Sequence, residues 1–163
     1  MAVLEQLATA LEDKTATRQT LLETICLSAA QLIPNANLIS LWVFEENSTQ
    51  IRSLINYDAI AGVFSADVLL TKVDFPPYFD AILEEQLVVA SDARNARATA
   101  CFTESYFEPN DIHSLLDYIL HKDFKPVGVV CCESKSEMVH WSKQDIESIG
   151  TLSAMISFFF DIK

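Results

Sequence analysis

Glycine is almost absent from this chain of 163 residues: Gly62, Gly128 and Gly150 are the only three. A glycine-rich loop that cradles phosphate cannot be assembled from them, which argues against P-loop and dinucleotide-fingerprint chemistry. Basic residues are scarce as well. Eleven Lys and Arg stand against 23 Asp and Glu, for a formal charge of −12, and the bases scatter from Lys14 to Lys163 without clustering. Nucleic acid and anionic membrane surfaces are recognised through focused basic patches, so neither is an expected partner. No uninterrupted apolar run approaches the roughly 18 residues of a bilayer span. The opening Met1-Ala-Val-Leu-Glu5 carries an acid where a secretory leader would carry bases. The expectation is a cytoplasmic protein with no membrane insertion.

Cysteine is present but not in metal-binding order. Cys26, Cys101, Cys131 and Cys132 form no C-x-x-C pair. Adjacent strand residues point to opposite faces, so Cys131 and Cys132 are poorly placed to hold one metal ion, and no metal site is expected. Reduced core thiols fit the same cytosolic setting. His113, His121 and His140 lack any helical i, i+4 partner that would make a ligand pair. Half of the residues are hydrophobic, enough for a chain of this length to bury one substantial core.

From Ala2 to Ile33 there is no Gly or Pro, and apolar residues recur at helical spacing: Val3, Leu4, Leu7 and Leu11, then Leu21, Leu22, Ile25, Ala29, Leu32 and Ile33. The polar stretch from Glu12 to Thr20 leaves open one helix or two. Thr20-Leu-Leu-Glu23 has the spacing of a capping box that would restart the second. Residues 1–19 are set apart as a helical extension and 20–163 as the main domain. If the core leaves Val3, Leu7 and Leu11 uncovered, that stripe needs a partner.

Asn37-Leu-Ile-Ser-Leu-Trp-Val-Phe44 is apolar on both parities, as a strand covered on both faces would be. Ile51 to Tyr57 reads as a strand nearer an edge. Ala59 to Ala66 reads as a loop, Asp67 to Val73 as a third strand, Pro76 to Leu83 as a short helix with prolines in its first turn, and Leu87 to Ala90 as a brief strand. Ala93 to Asp111 is irregular, with a helical turn or two around Phe102 to Phe107. Ile112 to Leu120 and Val127 to Glu133 form a hairpin across His121 to Pro126, its second strand again apolar on both parities. Ser142-Lys-Gln-Asp145 is a capping box, and Ile146, Ile149, Leu152, Ile156, Phe159 and Phe160 make one helical face. Phe158-Phe-Phe160, close to the last residue, suggests a connecting helix.

These elements predict an α+β domain with a central antiparallel sheet of five or six strands. Terminal helices pack on one face, and loops and short helices roof the other. The two doubly covered strands can both be central only as neighbours. A roof of loops over a sheet is where a pocket forms.

Five segments in order carry a likeness: Asp74-Phe-Pro-Pro-Tyr-Phe-Asp-Ala81, Leu87-Val-Val-Ala-Ser-Asp-Ala93, Ser114-Leu-Leu-Asp117, Gly128-Val-Val-Cys-Cys-Glu133 and Trp141-Ser-Lys-Gln-Asp145. Together they resemble bacterial GAF domains of the signalling type, as attached to sensor histidine kinases or cyclic-di-GMP enzymes, over about residues 20 to 160. The resemblance implies a GAF/PAS-like sensor fold, a small-molecule pocket beneath the middle segment, a homodimer through the terminal helices, and an output domain such as a kinase or cyclic-di-GMP enzyme. By the same analogy Phe75, Tyr78, Phe79, Phe102, Tyr106, Ser114, Leu116, Val130 and Cys132 line or roof the cavity. Arg94 and Arg97, two guanidinium groups beside its mouth, could clamp an anion.

The likeness leaves the ligand and any cofactor unknown. The dispersed signature of cyclic-nucleotide-binding members is missing. Phe102 and Thr103 stand where bilin-binding members carry a Cys-His pair, with Cys101 one residue away. A ligand-free dimerisation or interaction module is the alternative to a ligand sensor. The expectation is a non-enzymatic domain. A thiol-dependent methionine sulfoxide reductase acting through Cys101 is the remaining enzymatic option, since an attacking thiol needs a lowered pKa and a partner thiol. Asp92 and Asp117 read as turn caps.

Overall fold

The computed structural model of the chain describes residues 2–163. Its sheet grows outward from the two strands that are apolar on both parities. β1 (Leu38–Glu45) pairs antiparallel with β7 (Lys125–Lys135), with Leu41 opposite Val130 and Ile39 opposite Cys132. β2 (Gln50–Asp58) continues the sheet beside β1. β6 (Ile112–Lys122) and then β5 (Leu87–Ala90) continue it beside β7. Two three-residue strands, β3 (Val63–Ser65) and β4 (Leu69–Thr71), share the outer edge of β2. The order is β3-β2-β1-β7-β6-β5, with β4 off that path. The predicted adjacency of the two central strands holds. The strand count rises to seven because the segment read as a loop from residue 59 to 66 contains β3.

Alternation sorts the side chains onto two faces. One face, through Ile39, Leu41, Val43, Leu116, Leu120, Val130 and Cys132, packs against α1 (Ala2–Glu12), α2 (Arg18–Leu32) and α4 (Lys143–Phe159). The other, through Trp42, Phe44, Leu115, Ile119, Val129 and Cys131, packs against α3 (Pro76–Glu85) and the irregular middle. This is an α+β domain, with terminal helices on one side and a roof on the other. Cys131 and Cys132 do face opposite ways, and burial pushes both thiols well above their ordinary range.

Three local readings change. The chain does break between two helices, but the second starts at Arg18: Thr17, not Thr20, is its N-cap, and its side chain accepts from the Thr20 backbone N–H. Leu7 and Leu11 are buried in the helix-side core and Val3 is half-buried, so the domain itself covers most of the stripe that the sequence left without a partner. The turn of the long hairpin narrows to Asp123 and Phe124, whose φ angles of 52° and 63° suit the tight left-handed turn that matches strand twist. The Ser142 cap forms as read: its hydroxyl accepts from the Asp145 N–H at 3.0 Å and the Asp145 carboxylate from the Ser142 N–H at 2.9 Å.

At Phe160 the chain leaves the helix and turns back as extended backbone. Arg18 fastens it, donating to the carbonyls of Asp161 at 2.7 Å and Ile162 at 2.8 Å, with its guanidinium 5.0 Å from the Phe160 ring centre. Ile162 is buried against the helix-side core. Within α4, Gly150 is a helix-interior glycine whose added Cβ would meet only the Tyr118 ring, at 3.5 Å. Gly150→Ala is therefore expected to stabilise the domain by about 0.5–1 kcal/mol through helix propensity. Urea denaturation checks it, and a loss of stability would mean that Tyr118 cannot accommodate a methyl group.

Candidate functional site

The roof begins where Pro76 and Pro77 open α3 with their N–H groups absent from positions that need no partner. This sets Tyr78 and Phe79 facing the sheet, both buried. A short 3₁₀ turn (Ala100–Phe102) runs into a π turn (Thr103–Phe107) that brings down Phe102, Tyr106 and Phe107. Aromatic contacts knit this layer: Phe75 and Phe102 have ring centres 4.4 Å apart, Tyr78 and Phe102 5.2 Å, and Phe102 and Phe107 5.6 Å.

Two carboxyls rise from the sheet into this aromatic layer. Asp117, in mid-β6 opposite Cys131, accepts at Oδ2 from the Tyr78 hydroxyl at 2.5 Å. Glu133, on β7, accepts at Oε1 from the Tyr106 hydroxyl at 3.0 Å. Both are at most 3% exposed. Among the described residues, no donor with sound geometry reaches Asp117 Oδ1. Burial pushes the Asp117 carboxyl up to about 7, with hydrogen bonding from the Cys131 thiol and the Tyr78 hydroxyl pulling the other way. Burial, and then the charge of Asp117, push Glu133 up to about 8, while Tyr106 opposes. Desolvation and the neighbouring carboxyls likewise hold the Tyr78 and Tyr106 phenols well above their ordinary range.

Between the carboxyls and the roof lies a cavity of about 20 Å³, lined by Trp42, Tyr78, Phe102, Tyr106, Asp117 and Glu133 among others. That is room for about one water molecule. At the place where a small-molecule pocket was expected, the structure holds only this small void. Tyr106 and Glu133 also line a surface cleft of about 430 Å³, which extends past Tyr57, Asp58, Asn110 and Lys135. Lys135 is held there by Asp58 at 3.1 Å.

Of the residues expected at the pocket, Tyr78, Phe102 and Tyr106 line the cavity, while Phe75 and Phe79 pack in the roof without reaching it. Leu116, Val130 and Cys132 belong to the opposite face, among the helices. The positions one residue away, Leu115, Asp117 and Cys131, are the ones that face the cavity. Ser114 is no lining residue: its hydroxyl donates to the Ser91 carbonyl and accepts from the Val139 N–H. Arg94 does not face the cavity either, because its Nε donates to the Ile112 carbonyl and its guanidinium stands 3.7 Å from Asp111. Arg97 lines a separate surface hollow with Asp80, Glu84 and Glu85, so the two arginines form no clamp. Asp117 is a mid-strand core residue, not a turn cap. Asp92 does sit in a turn, accepting from the Asn95 side chain. Partial burial raises the Cys101 thiol, the reverse of what an attacking thiol requires.

The GAF domain family model matches residues 17–158, and the chain belongs to the GAF domain family. Among solved structures it is similar to the GAF domain of an Acinetobacter phosphoenolpyruvate-protein phosphotransferase, with a TM-score of 0.71 at 14% identity over 96% of this chain and 89% of that one. The chromophore-binding domain of a Stigmatella aurantiaca phytochrome gives 0.73 at 11% identity, over 98% of this chain and 59% of the other. The free methionine-R-sulfoxide reductase of Neisseria meningitidis, solved with its substrate, gives 0.66 at 16% identity, over 97% and 86%. At these identities the likeness concerns the fold. No curated protein gives a match to the sequence.

Proposed function

We propose that this GAF domain is a cytoplasmic, non-enzymatic sensor that binds a small molecule between sheet and roof and passes its state through the terminal helices to an output domain or partner. The observation that carries the reading is the fastening of the roof. Its two tyrosines, Tyr78 and Tyr106, come from separate elements and each bonds one buried carboxyl of the sheet. A molecule that competes for those carboxyls shifts the roof, and α4 packs directly on β6 on the far side of the same sheet. Ligand binding to the folded state alone stabilises by about 2.7 kcal/mol at a hundred times Kd.

A thermal-shift screen of metabolites against the purified protein tests this. The expected result is at least one compound that raises the unfolding midpoint by several degrees and slows amide exchange in residues 75–107 and in β6 and β7. A stabiliser whose protection maps elsewhere would refute it. The second reading, a ligand-free dimerisation module, is favoured by Leu27 on α2 and Phe158 on α4, which remain 45% and 82% exposed. Light scattering showing a homodimer, together with a screen that yields no stabiliser, would select it.

A further inference from the structure

The charge pattern of the roofed cavity is one-sided. Two carboxyls line it, with no Lys, Arg or His among its walls. Both tyrosine hydroxyls already donate, to Asp117 Oδ2 and Glu133 Oε1. Among the described residues, Asp117 Oδ1 has no hydrogen bond of sound geometry on a residue only 2% exposed, and besides Tyr78 only the weak thiol donor of Cys131 neighbours this carboxyl. A buried acceptor in that state is costly and calls for a donor. An anionic ligand would find no cationic partner there, and its charge would oppose the ionisation of both carboxyls. A positive head satisfies Oδ1 and offsets the second carboxyl as well, and the rings of Trp42, Tyr78, Phe102 and Tyr106 offer the faces on which organic cations settle.

We infer that this cavity receives the head of a small organic cation, an ammonium or amidinium on an apolar body, with Asp117 Oδ1 as its anchor and Tyr106 as its door. The inference rests on the ligand-binding reading above and names the ligand's chemistry. The closed cavity is too small for such a head and body together. Among the described residues, only Tyr106 and Glu133 border both it and the 430 Å³ cleft. One 3.0 Å hydrogen bond holds Tyr106 to Glu133, and it sits on a π turn, a backbone form that concentrates at functional sites. Turning that side chain outward joins the two spaces. Lys135, the cation in the cleft, is neutralised by Asp58 and does not repel the incoming charge.

The groups facing Asp117 are Tyr78 from α3, Tyr106 from the π turn, and Cys131 and Glu133 from β7, while β5 brings only Val88 and Ala90. The phenols and the thiol stay protonated at neutral pH, which leaves the two carboxyls to titrate. A bound cation favours the ionised Asp117, so binding releases a proton.

Benzylammonium, with benzyl alcohol and benzoate as neutral and anionic isosteres, is the probe set for calorimetric titration and amide NMR of the whole chain. Benzylammonium is expected to bind at least about tenfold more tightly than the alcohol, and benzoate not at all, with shifts at Tyr106 and Cys131. Its affinity should rise about tenfold from pH 6 to pH 8, with buffer-dependent heat from the released proton. Asp117→Asn should lower it at least tenfold, and Glu133→Gln should lower it less. Equal affinity for cation and alcohol, no binding of the cation, or full affinity in both carboxyl variants would overturn the inference. In any of those cases a neutral or anionic stabiliser from the metabolite screen, with protection on the roof, would leave the sensor reading standing.

Discussion

Gly128→Ala is expected to cost the domain about 3 kcal/mol or more, or to prevent folding altogether. Gly128 lies in the first half of β7, opposite Val43 of β1 on one side and Leu120 of β6 on the other. A Cβ there would stand 2.1 Å from the backbone carbonyl oxygen of Trp42 and 2.5 Å from Cδ1 of Ile162. The Ile162 side chain can turn aside, but the Trp42 carbonyl belongs to the neighbouring central strand and cannot move without parting β1 from β7. With total stabilities of about 5–15 kcal/mol for domains of this kind, such a loss is a large share of the whole. Urea denaturation beside Gly150→Ala as the control checks it: one glycine substitution should be severe and the other favourable. A Gly128→Ala protein within 1 kcal/mol of the parent would mean that the two strands do not approach as closely as described.

The sheet centre was legible because strands buried on both faces leave an unbroken apolar record, and two such strands must be neighbours. The same property hid which side of them faces the roof. Val127 to Cys132 is apolar on both parities, so nothing in that run separates Val130 and Cys132 from Val129 and Cys131. Acids within apolar strands carried the missing signal. Asp117 shares parity with Leu115 and Ile119, and Glu133 with Val129 and Cys131. A carboxyl fixed at a buried parity needs a hydrogen-bond donor, and the only tyrosines in the segments flanking the roof are Tyr78 and Tyr106. Reading Asp117 as a turn cap passed over that requirement. β3 was not legible because a three-residue edge pairing depends on the strand beside it more than on its own residues. Thr20, with Glu23 three residues on, is the better cap in isolation. Thr17 wins in a fold where Arg18 reaches the returning C-terminal segment.

Stability is expected to fall as pH rises from about 4 to about 8, and most of that slope should vanish when the two roofed carboxyls are replaced. In the folded chain Asp117 is pushed from an ordinary 3.8 up to about 7, and Glu133 from 4.5 up to about 8. The unfolded chain therefore gives up both protons near pH 4, while the folded chain keeps them until pH 7 to 8. Across that window the folded state binds more protons, and raising the pH favours unfolding. Below pH 4 both states are protonated and the penalty disappears; above pH 8 both are ionised and it stops growing. A displacement of about three pH units corresponds to about 4 kcal/mol for Asp117 alone, with a further contribution of the same sign from Glu133. The overall charge of −12 adds a self-repulsion that also grows on leaving acid conditions, so the profile of the parent protein is not sufficient by itself. The double variant Asp117→Asn, Glu133→Gln separates the two effects: it keeps carbonyl acceptors for Tyr78 and Tyr106 and removes only the titrations. Urea denaturation at pH 4.5 and pH 8 should show the variant close to the parent in acid and more stable by several kcal/mol in base. Parallel pH profiles for the two proteins would mean that the carboxyls ionise freely in the folded chain and that the roof does not shield them from bulk water.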